Sequence, residues 1–210
     1  MIDFYGFDTA NSLKVLLLLE EIEADYTYHP IDIRAGEQKS PTFQAINPHG
    51  KVPTIVDHTA KDAPFVVWES AAILIYIAEK FEKFLPEAVQ DRSTALQWLM
   101  FQSASCGPIF GQSEYWRLLA PEQNEAAHAH YLALTNNLMD RLEERLTDTA
   151  YFAGPDYTIA DMAQFGWLWR REKAGADFKE RPTLQRWYDR LADRPAAIKA
   201  IQLLNDKSAR

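Results

Sequence analysis

Asn47-Pro48-His49-Gly50-Lys51-Val52-Pro53 is the stretch of this chain whose residue types point most directly to binding chemistry. Pro53 falls where a strand should begin, and proline has no N–H with which to complete a ladder. If the Val52–Pro53 bond is cis, the chain turns and leaves the Val52 N–H and C=O free. An extended peptide can then pair with them as an added strand. A plain loop entering a strand fits the same residues. One hairpin later, Trp68-Glu69-Ser70 ends a strand and opens a helix. The unpaired N–H groups of a helix start and the serine hydroxyl suit an anion, and the Glu69 carboxylate suits an ammonium. One turn thus complements both charges of an α-amino acid. A serine N-cap with an acidic first turn is the simpler alternative.

The elements that must position these residues are legible from periodicity. Residues 2–6 read as a strand ended by Gly6, and Asn11 or Ser12 can cap a helix running through Glu23. Residues 26–33 are rich in β-formers and read as a second strand. Loops with a short helix near 41–46 lead to a hairpin of 53–57 and 64–68, then to a helix from Glu69 to about Lys80 with Ile73, Tyr76 and Ile77 on one face. This βαβ, ββα order is that of an α/β thioredoxin-like domain over 1–80. A charged segment with Pro86, residues 81–87, reads as a linker. From 88 to 210 the chain reads as an all-α domain, with helices expected at about 88–113, 121–146, 158–173, 182–193 and 195–205. Cys106-Gly107-Pro108 is expected to bend the first of them. Thr158-Ile159-Ala160-Asp161 has the pattern of a capping box.

Composition narrows the classes of function. The 210 residues carry a formal net charge of -8, which argues against nucleic acid as a main partner. Cys106 is the single cysteine, so no intrachain disulfide is possible, and no cluster has the spacing of a metal site. The apolar run Leu13–Leu19 is interrupted by Lys14 and is too short to span a bilayer, and the first residues lack the features of a signal peptide. A cytoplasmic protein without a membrane partner is expected.

With these motifs in order, nearly the whole chain resembles the glutathione transferase superfamily. The resemblance rests on the NPxGKVP stretch, the Glu-Ser pair after the hairpin and the Thr-Ile-Ala-Asp box in the helical half. It implies that glutathione is the co-substrate. Val52 would pair with its cysteinyl backbone, cis-Pro53 would shape the turn, and Glu69 and Ser70 would hold the γ-glutamyl end. Lys51 and Gln38 would reach the glycyl end or nearby backbone. Thr158 and Asp161 would be a folding element. The segment Tyr5–Val15 is most similar to the bacterial Nu class and the Ure2p-like group, which place Thr and Asn where this chain has Thr9 and Asn11. Tyr5 reads as core. In the Nu pattern an arginine precedes a tyrosine in the long helix and contacts the glutathione of the partner subunit. Here His130 precedes Tyr131, a shorter and only partly charged residue, so a second glutathione or oxidised glutathione is held less securely. A solvated helix histidine is the alternative.

The resemblance implies a definite chemistry. A free thiol of pKa roughly 8.5 is mostly protonated at neutral pH, and only its thiolate attacks disulfides or electrophiles. Thr9 can donate one O–H and Asn11 two N–H bonds, which stabilise the anion without acting as a base. The alternatives are a turn hydroxyl for Thr9 and an N-cap for Asn11. The implied enzyme is a homodimer acting on glutathione and a small electrophile or disulfide. A non-catalytic glutathione-binding protein on the same fold is the second possibility, and a glutathione-dependent isomerase a weaker third. Phe110, Tyr115, Trp116, Trp167 and Trp169 are candidates for an electrophile pocket. Core packing explains at least half of them, and Tyr115 and Trp116 are the better candidates.

Overall fold

The structure, a computed structural model, describes residues 1–208. It divides into two compact units: Met1–Lys83 together with the segment beginning at Arg194, and Phe84–Asp193.

The first unit is built on a four-stranded sheet in the order β2-β1-β3-β4, with β1 Ile2–Gly6, β2 Tyr26–Pro30, β3 Thr54–Asp57 and β4 Phe65–Trp68. β1 and β2 run parallel across the helical crossover, and β3 runs antiparallel to both β1 and β4. The thioredoxin-like α/β order expected from the sequence is therefore present, and the chain beyond it is helical. Helix α1, Ala10–Glu21, is buried on nearly every side because Leu13 and Val15–Leu19 leave it no polar face. Helix α2, Pro41–Ile46, starts with Pro41 at its first position and Ser40 as cap. Helix α3, Ser70–Phe81, packs against α1.

Three local differences from the sequence reading have clear causes. Helix α1 is capped by Thr9, not by Asn11 or Ser12: the Thr9 hydroxyl accepts from the Ser12 N–H at 3.0 Å, which makes Asn11 the second helical residue. Tyr5 is only half-buried, with its ring stacked on His29 at 4.8 Å. The last helix also groups with the first unit. Its carboxylate partners lie on α1, where Arg194 bonds Glu21 through Nη2 at 2.8 Å and Lys199 reaches Glu20 at 2.7 Å.

The second unit comprises α4 Val89–Phe101, α5 Gly107–Glu114, α6 Glu125–Asp148, α7 Ile159–Trp169 and α8 Pro182–Ala192; α9, Pro195–Ser208, is the helix that packs on α1. A π-helical turn, Gln102–Cys106, separates α4 from α5, and a second, Tyr115–Leu119, follows α5. Where the sequence predicts a bend at Cys106-Gly107-Pro108, a π-helical turn ends at Cys106 and α5 begins with Pro108 in its first turn. Helix α7 opens with the capping box, Thr158 and Asp161 bonding reciprocally. Among the described residues no helix is long and apolar enough to cross a membrane.

Asp57, at the end of β3, fixes the sheet to α3. It is fully buried and accepts from Lys80, from the Tyr76 hydroxyl at 2.7 Å and from the Thr59 N–H at 2.9 Å. Burial alone would raise its pKa, but these donors hold the carboxyl well below the usual carboxylate range. Its stabilising contribution is therefore complete above the unfolded value of 3.8 and is lost as pH falls further. Asp57→Asn is expected to lower stability at neutral pH by roughly 3 kcal/mol, because Lys80 loses its charged partner. Denaturant midpoints at neutral pH and near pH 3 provide the check. The gap between wild type and variant should narrow on the acid side.

Candidate functional site

The docking turn is organised by Asn47, which is 1% exposed. Its Nδ2 donates to the Lys51 C=O at 2.7 Å and to the Thr54 hydroxyl at 3.0 Å, while its Oδ1 accepts from the His49 N–H at 3.0 Å. One amide thus holds the loop closed from both sides. Gly50 is required by the same closure: its φ is +63°, and a Cβ there would lie 3.0 Å from the Gln38 carbonyl oxygen. The turn ends in a cis Val52–Pro53 bond. Val52 lies outside the β3 ladder, and among the described residues no other group takes its N–H or C=O.

Thr9, Asn11, Gln38, Lys51 and Val52 line one open pocket of about 610 Å³ within the first unit, joined by Lys39 and His49. A volume of that order suits a small peptide. The Nε2 of Gln38 donates to its own loop at the Ile33 C=O, 3.3 Å away, and its buried Oε1 has no partner among the described residues. Two lysines, Lys39 and Lys51, make the rim favourable to an anion.

Glu69 is the N-cap of α3, with φ +71° and ψ 117°, and its side chain makes no capping bond. A non-glycine residue in that region is strained by about 1–3 kcal/mol. The first-turn N–H groups are left without a side-chain cap. Ser70 is the first helical residue, not the cap that the simpler reading made of it. It is mostly buried, and its hydroxyl oxygen lies 3.5 Å from the Lys14 ammonium.

The Lys14 side chain in turn donates to Asn11 Oδ1 at 2.8 Å. It joins the wall of the pocket carrying Thr9 and Asn11 to the start of α3. The Thr9 hydroxyl is engaged on both sides by Ser12, accepting from its N–H and donating to its Oγ at 2.9 Å. Asn11 lines the same pocket with an amide, which carries two N–H donors. The sequence assigns no role to Lys14, although a lysine one turn after Asn11 inside an otherwise apolar run is a signal. Asn47 is visible as the first residue of the NPxGKVP stretch, but its type alone does not show which loop groups its amide joins.

The remaining candidates lie in the second unit. His130 is exposed on α6, edge-on to Tyr131 at 5.2 Å. Phe110 is buried against Trp167 and belongs to the core, and Trp169 carries Arg170 over its ring. Tyr115 and Trp116 meet edge to face at 5.2 Å, with Tyr115 exposed. Trp116 lines a small pocket of about 130 Å³ with Arg117 and His128.

The chain is similar in sequence and fold to known proteins. Residues 10–80 match the family model for the glutathione S-transferase N-terminal domain, and residues 93–195 match that for the C-terminal domain. The disulfide-bond oxidoreductase YfcG of Escherichia coli is 37% identical, the match covering 96% of this chain and 94% of that protein. The disulfide-bond oxidoreductase YghU of the same organism is 32% identical over 97% of this chain and 75% of its own. A glutathione transferase family member from Pseudomonas fluorescens, crystallised with two glutathione bound, superposes with a TM-score of 0.90 at 31% identity, covering 95% of this chain and 92% of the other. The glutathione transferase URE2P8 from Phanerochaete chrysosporium, crystallised with oxidized glutathione, gives a TM-score of 0.93 at 29% identity, covering 100% and 97%.

Proposed function

This chain belongs to the glutathione S-transferase family, and we propose that it acts as a glutathione-dependent disulfide reductase of the Nu and Ure2p-like kind. The observation that carries the reading is one pocket bringing Thr9 and Asn11 to face the exposed backbone of Val52, with Ser70 tied to Asn11 through Lys14. Two relatives named as disulfide-bond oxidoreductases favour this reaction over conjugation.

In this reading the cysteinyl backbone of glutathione pairs with Val52 next to cis-Pro53. The γ-glutamyl carboxylate meets the Ser70 hydroxyl and the first-turn N–H groups of α3, and the Glu69 carboxylate takes the ammonium. Gln38 and Lys51 receive the glycyl end. The sulfur then faces Asn11, whose N–H bonds favour the thiolate, with Thr9 beside it. The thiolate attacks one sulfur of a disulfide, forming a mixed disulfide and expelling the other sulfur as a thiolate, which takes up a proton. A second glutathione thiolate attacks the mixed disulfide, releasing the second thiol and leaving oxidised glutathione. Two glutathiones are oxidised and one disulfide is reduced. The working form in this reading is a cytoplasmic homodimer, with His130 near the second glutathione.

Turnover of 2-hydroxyethyl disulfide should greatly exceed turnover of a chloronitrobenzene. A strong preference for the aryl halide would overturn the reductase assignment. Tight glutathione binding with neither activity would favour a non-catalytic binding protein. Ser70→Ala is expected to weaken glutathione binding by about tenfold, the loss of one charge-assisted hydrogen bond, with a smaller effect on kcat. A titration of binding beside steady-state kinetics separates the two.

A further inference from the structure

Lys14 is 2% exposed, on a helix whose neighbouring residues Leu13, Val15, Leu17 and Leu18 are all buried. An apolar side chain of the same length would satisfy packing alone, and a buried ammonium is costly unless it is hydrogen-bonded. Its position next to the pocket gives the charge a use.

We propose that Lys14 is the positioning residue of this site: it fixes the direction in which the Asn11 amide and the Ser70 hydroxyl point, and sets a positive charge behind the bound sulfur. The inference rests on the glutathione reading above and extends it to a residue that faces neither end of the peptide directly.

An asparagine amide has a donor face and an acceptor face of nearly equal size, and rotation about χ2 exchanges them. Presented with its oxygen, the amide would repel a thiolate; presented with its nitrogen, it stabilises one. An ammonium has donors only, so at 2.8 Å it can meet only Oδ1. Lys14 therefore turns Nδ2 away from itself, as a donor for the pocket that Asn11 lines. The same logic applies at 3.5 Å to Ser70, whose oxygen accepts from Lys14 and whose own proton is then available to a carboxylate. One buried cation thus polarises the sulfur-facing donor and the carboxylate-facing donor in the same sense.

Other charged groups of this region include Lys39 and Lys51, which line the pocket, Asp8, paired with Arg34 just before α1, and Glu69, adjacent to Ser70. The two lysines sit at the solvent rim, where screening weakens them, whereas Lys14 acts from the dry side. Preorganised charge of this kind needs no reorganisation when the thiolate forms.

The test uses Lys14→Met, of similar length and apolar, and reads the pKa of the bound thiol from the ultraviolet absorbance of the thiolate across pH. Wild type should hold bound glutathione with a thiol pKa below that of free glutathione. Lys14→Met should raise it by about one pH unit, with kcat at neutral pH falling about tenfold. Adding Asn11→Ala to Lys14→Met should raise it little further, because the two substitutions remove one device. A merely structural lysine would lower the melting temperature without moving the bound thiol. If Lys14→Met does not fold, Lys14→Gln, which keeps a donor but loses the charge, carries the same reading. The proposal is overturned if either folded variant binds glutathione with an unchanged thiol pKa while Asn11→Ala raises it. If wild type itself does not lower the thiol pKa, or Asn11→Ala leaves it unmoved, the underlying glutathione reading fails first and takes this one with it.

Discussion

Asn11→Ala is expected to lower kcat for glutathione-dependent disulfide reduction by roughly tenfold to a hundredfold, with a much smaller change in glutathione affinity. A hydrogen bond to a charged group contributes about 1.5–3 kcal/mol, and each 1.4 kcal/mol corresponds to a factor of ten. In the proposed reading this bond strengthens as the sulfur ionises, so its loss falls on the reactive state more than on docking, which the same reading assigns to Val52, Glu69 and Ser70. The structure sharpens the expectation by committing the Thr9 hydroxyl to Ser12 as the cap of α1. Thr9→Ala should accordingly lower stability, by about 1 kcal/mol for the lost cap, and affect turnover less than Asn11→Ala. Steady-state kinetics with 2-hydroxyethyl disulfide at saturating glutathione measures the effect. A loss confined to KM would show that Asn11 holds the peptide and does not act on the sulfur.

The largest stability effect is expected at Asp161. This carboxylate is fully buried and receives four donors: the Phe152 N–H at 3.1 Å, the Trp187 indole N–H at 3.0 Å, and the Thr158 N–H and hydroxyl at 3.0 and 3.1 Å. It joins the start of α7, the loop before it and α8 within the second unit. Asp161→Ala orphans all four donors and leaves a cavity, and should cost about 3–5 kcal/mol. At this chain length that corresponds to a fall in Tm of roughly 10 °C. The pH dependence has a definite sign. Burial pushes the Asp161 carboxyl up to about 6, against the pull of its four donors. The folded state therefore holds the proton more tightly than the unfolded one, so its contribution is greatest below the unfolded value of 3.8 and declines as pH rises through about 6. The stability gap between wild type and the alanine variant should widen as pH is lowered from 7 toward 5. A loss below about 1 kcal/mol would show that the box is not the anchor of the second unit.

Much of the fold was legible because it is written in short-range patterns. The four strands and α3 follow from periodicity and turn residues, and the capping box from two residue types three apart. What was not legible depends on long-range partners or on degenerate local signals. Thr9, Asn11 and Ser12 are all good capping types within four residues, so residue type alone could not say which one begins α1. The grouping of α9 with the first unit is set by Arg194 on Glu21, 173 residues apart. The π-turns leave no distinctive spacing in the sequence. At the site, the Val52–Pro53 turn and the Glu69–Ser70 helix start were visible as motifs; the cis bond and the start of α3 at Ser70 are where those motifs placed them. The part played by Lys14 was hidden because Ser70 lies 56 residues further on.

In the proposed reading glutathione docks on Val52 and Ser70, with its sulfur turned toward Asn11 in the pocket that Asn11 and Val52 line. A crystal structure of the protein soaked with oxidised glutathione tests it most directly. The expected result is one glutathionyl half with its cysteinyl backbone paired to Val52, its γ-glutamyl carboxylate on Ser70 and its sulfur within hydrogen-bond distance of Asn11 Nδ2. A peptide bound outside this pocket, or bound within it with its sulfur turned away from Asn11, would contradict it.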